Sequence, residues 1–164
     1  MPIQIKTYTF EEAYLPTHEF LTIDDEKESL SRKPEEEIAY PVTDGNILDA
    51  VIRVLLTHHK AKTPLAVAHA LNVDRRDLSG AIRLLTGMSH ENFIHQYRLR
   101  AMKELLTTTK LSTTTIAKYF GYATLRSFNQ FLVDQTELTA NEIRAGVDAT
   151  TKVKRLAWWE RKEK

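Results

Sequence analysis

The sequence predicts an all-α chain of about seven helices, arranged as two helix-turn-helix units joined by a long linker helix. Three observations carry this prediction. From Ile47 to Ile143 apolar residues recur three and four positions apart, the spacing that lines one face of an α-helix. Hydroxyl and acidic residues able to cap a helix N-terminus stand at intervals before these apolar runs. The later half of the periodic region repeats the plan of the earlier half at an offset of 49 to 50 residues.

Residues 1–46 precede the periodicity. They hold 4 basic and 11 acidic side chains, prolines at 2, 16, 34 and 41, and scattered apolar residues. That is not a core-forming pattern, so the segment reads as an acidic N-terminal arm, partly disordered or docking. Alternation over residues 3–10 allows one short strand, which alone would have no partner.

The first helix is expected from residue 47 to about 59, with Val51, Val54 and Leu55 on one face. Thr63 followed by Pro64 reads as an N-cap with proline at the first helical position, where its missing N–H costs nothing, and opens a helix to about residue 71. Asp74 opens the next. Asp77 lies in its acidic first turn, Leu78, Ile82 and Leu85 form its buried stripe, and Gly87 closes it. Ser89 caps a longer helix carrying Phe93, Tyr97, Leu99, Met102, Leu105 and Leu106, ending in the threonines at 107–109. This is the expected central spine. Ser112, Thr124 and Thr139 cap three more helices, and Thr139 with Glu142 makes a capping box. Residues 47–146 thus read as one domain, and residues 147–164 as a basic C-terminal tail or short helix.

Within that domain Ala68, Leu71 and Val73 recur 49 residues later as Ala117, Phe120 and Tyr122. Asp74, Leu78, Ile82, Ser89 and Phe93 recur 50 residues later as Thr124, Phe128, Leu132, Thr139 and Ile143. Each half reads short helix, tight turn, longer helix, with a small alanine where the helices cross closely and, in the second half, Gly121 where the turn needs positive φ. A plain helical bundle also gives apolar stripes. It does not require a small residue, a turn and a polar-faced helix at matching offsets twice.

With 42% hydrophobic and 27% charged residues, the composition is that of a folded soluble domain. No apolar run approaches 18 residues and no secretory signal is written, so no membrane contact and a cytoplasmic location are expected. Cysteine is absent, which excludes disulfides, thiolate zinc sites and thiol nucleophiles. His58, His59, His69, His90 and His95 show no spacing that establishes a metal site, and neither metal nor cofactor is expected. The net charge of +1 divides into −7 over residues 1–46, +5 over 47–144 and +3 over 145–164. Such asymmetry is a hint of nucleic-acid contact, because Lys and Arg on phosphates displace condensed counterions.

The segment RLRAMKELLTTTKLSTTTIAKYFGY, residues 98–122, resembles without a gap the linker helix and following helix of the AraC/XylS family of bacterial transcription regulators. LAVAHALNVDRRDLSGAIRLLTGMSHENF, residues 65–93, is similar to that family's first unit, including the glycine after the recognition helix. The resemblance covers residues 47 to 144 and implies a DNA-binding domain with two recognition helices, working at the nucleoid and without catalytic chemistry. Family members usually carry a larger ligand-binding or dimerising domain. The acid-rich arm is too short to form one, so no effector pocket is expected, and the absence of cysteine removes the methyl-transfer repair activity of some relatives. The sequence departs from the family in the second unit. Gln130 stands where arginine is usual, Val133 and Asp134 where lysines are common, and Glu137 and Ala140 replace a glycine and a proline.

In a helix-turn-helix protein the early exposed positions of the second helix enter the major groove. In the first unit these are Arg75, Arg76, Ser79 and Gly80, with Arg83 on the same side. In the second they are Thr124, Leu125, Arg126, Asn129 and Gln130. Arginine pairs bidentately with guanine, and Asn or Gln with adenine. The expected partner is double-stranded DNA, with RNA polymerase or another protein as a further partner through the acidic arm or the Trp158/Trp159 tail. A different class of function stays open: a protein-interaction module that retains the fold but has lost DNA binding, motivated by the weakly charged second recognition helix.

Overall fold

The computed structural model describes residues 7–34, 47–57 and 62–147. From Ile47 onward the described residues form seven helices, as the periodicity predicts: α3 (Ile47–Thr57), α4 (Pro64–Leu71), α5 (Arg75–Thr86), α6 (His90–Thr108), α7 (Thr113–Tyr119), α8 (Leu125–Thr136) and α9 (Ala140–Arg144). Before them come two one-turn helices, α1 (Phe10–Ala13) and α2 (Thr17–Phe20), and a hairpin of β1 (Leu21–Asp24) and β2 (Ser29–Arg32), paired antiparallel with Leu21 opposite Arg32. The Trp158/Trp159 tail, His58 and His59 lie outside the described residues.

The long helix α6 is the spine. Phe93, Ile94, Tyr97, Leu99, Met102, Leu105 and Leu106 are all buried along it, which a helix achieves only when neighbours cover it on several sides. Helices α3, α4 and α5 pack together as the first unit against its N-terminal half, through Leu48, Val51, Ile52, Val67, Leu78 and Ile82. The second unit, α7 to α9, uses Ile116, Ala117, Phe128, Leu132 and Ile143.

The repeat extends to individual hydrogen bonds. In the first unit the turn is closed by Val73 N–H donating to Ala68 O and Asn72 N–H to His69 O; in the second, Tyr122 N–H donates to Ala117 O and Gly121 N–H to Lys118 O. The left-handed position of the turn is Asn72 (φ 56°) in one unit and Gly121 (φ 85°) in the other. Asparagine tolerates this conformation, so the first turn needs no glycine. Helices α5 and α8 end alike, on Gly87 (φ 75°) and Glu137 (φ 64°), each donating to the carbonyl four residues back at 2.8 Å. Thr86 and Thr136 then repeat one bridge, from Oγ1 to Ile82 O or Leu132 O at 2.7 Å.

The N-terminal residues correct the sequence reading. Residues 7–34 do contribute core: Tyr8, Ala13, Tyr14, Leu15, Phe20 and Leu21 are buried against the helical domain. Their spacing shows no pattern because secondary structure changes every four or so residues, so no single period aligns them. The strand allowed over residues 3–10 is not found in its described part. Thr9 instead caps α1, sharing a reciprocal capping box with Glu12.

Candidate nucleic-acid interface

Helix α5 starts at Asp74, whose carboxylate accepts the backbone N–H of Arg76 at 2.7 Å and satisfies a donor the helix cannot. Leu78, Ile82 and Leu85 are buried and fix which side of α5 faces the core. At 100° per residue the other side presents Arg75, Arg76, Ser79, Gly80 and Arg83 as one stripe. All five lie there together: the three arginines and Gly80 are exposed and Ser79 is half-buried. Beyond its own helix backbone and chain neighbours, a methyl group built at Gly80 would meet no atom of the described residues within 4 Å. Beside Arg75 a cleft of about 400 Å³ is lined by Thr63, Pro64, Leu65, His90, Glu91 and His95, which sequence reasoning missed because its walls come from three helices.

Helix α8 presents a different surface. Arg126 and Gln130 are exposed, while Leu125 and Asn129 are half-buried. Thr124 is spent as the N-cap, its hydroxyl accepting Ser127 N–H at 3.1 Å. Asn129 Oδ1 accepts Ala140 N–H at 2.9 Å, which satisfies the first turn of α9. Gln130 donates to Asp134 at 2.8 Å. Helix α8 holds one arginine and one aspartate, where α5 holds three arginines and one aspartate. The arrangement brings Arg126 and Gln130 to the surface, engages the exposed Thr124 in the helix cap, and turns Asn129 toward α9.

Two arginines on or after α6 hold the second unit in place. Arg98 is buried, donates through Nη2 to Phe120 O at 2.7 Å, and lies 5.8 and 6.0 Å from the ring centres of Phe120 and Tyr122. Burial lowers its pKa, though an arginine remains cationic. Over the same Tyr122 ring, 4.1 Å from its centre, lies Nζ of Lys62, from the segment between α3 and α4 of the first unit. Arg144 Nε donates to Leu106 O at 3.0 Å, satisfying a carbonyl in the last turn of α6. Sequence patterning gave no sign of Arg98, because a charged residue in an amphipathic helix reads as solvent-facing.

No group of three or more His, Asp or Glu among the described residues is placed to hold a metal ion, and none of their helices is long and apolar enough to cross a membrane.

Two helix-turn-helix units on one spine, with three exposed arginines on α5 of the first, define a double helix-turn-helix domain of the DNA-binding class. Residues 67–146 match a family described as a helix-turn-helix domain. The chain is similar to the C-terminal domain of AraT, a response regulator from Geobacillus stearothermophilus, with 26% identity and a TM-score of 0.50 over 60% of this chain and 83% of that one. It shares its fold with the C-terminal domain of the two-component response regulator YesN from Fusobacterium nucleatum, at 20% identity and a TM-score of 0.50, over 61% of this chain and 99% of that one. It shares it also with the xylose-binding transcription activator XylR, at 21% identity and a TM-score of 0.50, over 71% of this chain but only 31% of that one. No curated protein sequence matches the chain. Residues 67–146 thus resemble helix-turn-helix domains of the AraC type.

Proposed function

We propose that this chain binds double-stranded DNA in a sequence-directed way as a transcription regulator, reading bases chiefly through α5. The observation that carries this is the single stripe of Arg75, Arg76, Ser79, Gly80 and Arg83, with the arginines exposed and the glycine open. Glycine inside a helix costs about 1 kcal/mol relative to alanine. No packing among the described residues asks for it at Gly80, so a surface approached closely by an outside backbone is the reading that gives it a use. Arg75 or Arg76 is suited to guanine, worth roughly 1–3 kcal/mol of discrimination. Arg83, further along the helix, suits phosphate.

Helix α8 is the second and weaker reader, through Arg126 and Gln130, with Thr124, Leu125 and Asn129 acting mainly as its frame. Two helices on one spine suit successive major grooves about 34 Å apart on one face of the duplex. Because α5 and α8 differ in sequence, the target is asymmetric. A footprint with both halves protected by the same helix contradicts this.

The test is binding to duplexes selected from a random library, measured across salt concentrations. Alanine at Arg75, Arg76 and Arg83 together is expected to weaken binding strongly and to flatten the salt dependence by about one unit of slope for each phosphate no longer neutralised. An unchanged binding curve refutes the assignment. A second reading, an interaction module that kept the fold without DNA binding, draws support from the internally bonded polar side chains of α8 and the exposed Leu65 and Leu84, 61% and 55% accessible. Absence of any salt-sensitive retardation of DNA by the intact chain would favour it.

A further inference from the structure

We propose that residues 7–34 form a strap that sets the position of the second helix-turn-helix unit relative to the first, and thereby the spacing between the two DNA contacts. The spacing half of the proposal rests on the DNA-binding reading above; the positional half does not. One continuous segment bonds both units and the spine between them. At its start Tyr8 N–H donates to Leu85 O at 2.7 Å, in the last turn of recognition helix α5, where carbonyls lack intrahelical partners. It then follows α6. Phe10 and Tyr14 pack on the rings of Phe93 and Tyr97, Leu15 N–H donates to Tyr97 Oη at 3.1 Å, and Glu11 pairs with Arg100. Thr17 donates from both its backbone N–H and its hydroxyl to Glu104 Oε2, at 2.8 and 2.7 Å.

The far end of the strap reaches the second unit. The turn of the β1–β2 hairpin places Asp25 Oδ1 2.9 Å from Lys110 N–H and Glu28 Oε1 2.7 Å from Ser112 N–H, both donated to the carboxylates. Those amides belong to residues 109–112, the non-helical link between α6 and α7. A short link of this kind is where a change in backbone angles would swing α7 to α9 as a body. The carboxylates hold two of its four N–H groups. The link is thereby tied, through the hairpin and α1, to the end of α5. The contacts of Lys62 and Arg98 with the Tyr122 ring also join the units, so removing the strap's far hydrogen bonds loosens the arrangement rather than dissolving it.

The chain's lack of cysteine allows a direct test in the full-length protein. His69→Cys and Lys118→Cys, exposed and repeat-equivalent positions on α4 and α7, take spin labels whose separation is measured by pulsed dipolar spectroscopy. Asp25→Ala/Glu28→Ala removes the far hydrogen bonds, both from exposed residues, so the core is untouched; Glu26→Ala removes charge from the same turn and serves as control. The double variant is expected to broaden the distance distribution at least twofold while Glu26→Ala leaves it unchanged. On library-selected duplexes, inserting two base pairs between the half-sites is expected to cost the parent chain at least tenfold in affinity and the double variant less than threefold. An unchanged distance distribution overturns the proposal, whether or not the double variant gains overall DNA affinity. Equal spacing penalties in the two proteins also overturn it. If the parent chain selects no duplex, the DNA-binding reading fails, and the label distances still decide whether the strap positions the units.

Discussion

At Gly80 a single side-chain hydrogen separates two demands. The helix would be firmer with alanine, and there is open space for the methyl group. Gly80→Ala is expected to stabilise the fold by about 0.5–1 kcal/mol in chemical denaturation. The same change is expected to weaken DNA binding several-fold, since the methyl would stand between the backbone and the groove. Gain of stability with unaltered affinity would remove Gly80 from the interface. Arg98 poses the opposite case, a charge held inside. Arg98→Met is expected to cost about 1–3 kcal/mol, because Phe120 O loses its charged donor in a buried site; a denaturation midpoint equal to the parent's contradicts that role. Gly80 could be singled out in the sequence from its place on a helix face. Arg98 could not, since its burial follows from the second unit closing over α6.

Among the elements, the caps behave as local chemistry predicts. Thr63, Asp74, Ser89, Ser112, Thr124 and Thr139 all accept a backbone N–H at the start of the helix each is expected to open. An N-cap bond spans two or three residues, so sequence alone specifies it. Thr139→Ala is expected to cost about 0.5–2 kcal/mol, and Asn129→Ala to add to that loss, because both side chains serve the first turn of α9. An Asn129→Ala variant as stable as the parent would free that side chain for base reading. The strap shows the converse. Phe20 is buried where sequence suggested a tail, and Phe20→Ala is expected to cost about 3–5 kcal/mol. Thermal unfolding indistinguishable from the parent would mean that the segment adds no core.

For the whole molecule, the charge asymmetry takes a spatial form. Part of the acidic N-terminal region lies against the helical domain, through Glu11 on Arg100 and through Asp25 and Glu28 on backbone amides. Hydrogen bonds from Ser112 lower the pKa of Glu28, and the Arg100 guanidinium lowers that of Glu11, both below the ordinary 4.5. A carboxylate depressed in the folded state adds stability that is present above 4.5 and lost as pH falls through its folded value. Below about pH 4.5 the Glu28 contact is therefore expected to loosen first, seen as faster amide exchange at Ser112 than in the rest of the domain. Uniform protection down to global unfolding would contradict this.

The sequence by itself determined the all-α class, the seven helices from Ile47, their caps and the doubled plan, because each depends on contacts within a few residues or on a period that repeats. It also placed Arg75, Arg76, Ser79, Gly80 and Arg83 on one face, since a helix and its buried stripe leave only one outward side. Tertiary structure alone decided that Arg98 is interior, that Asn129 serves α9 rather than the surface, and that residues 7–34 bind both units. These depend on pairs as far apart as Tyr8 and Leu85 or Glu28 and Ser112. No local spacing encodes such pairs; they form only once the helices have packed and offer their unpaired backbone groups.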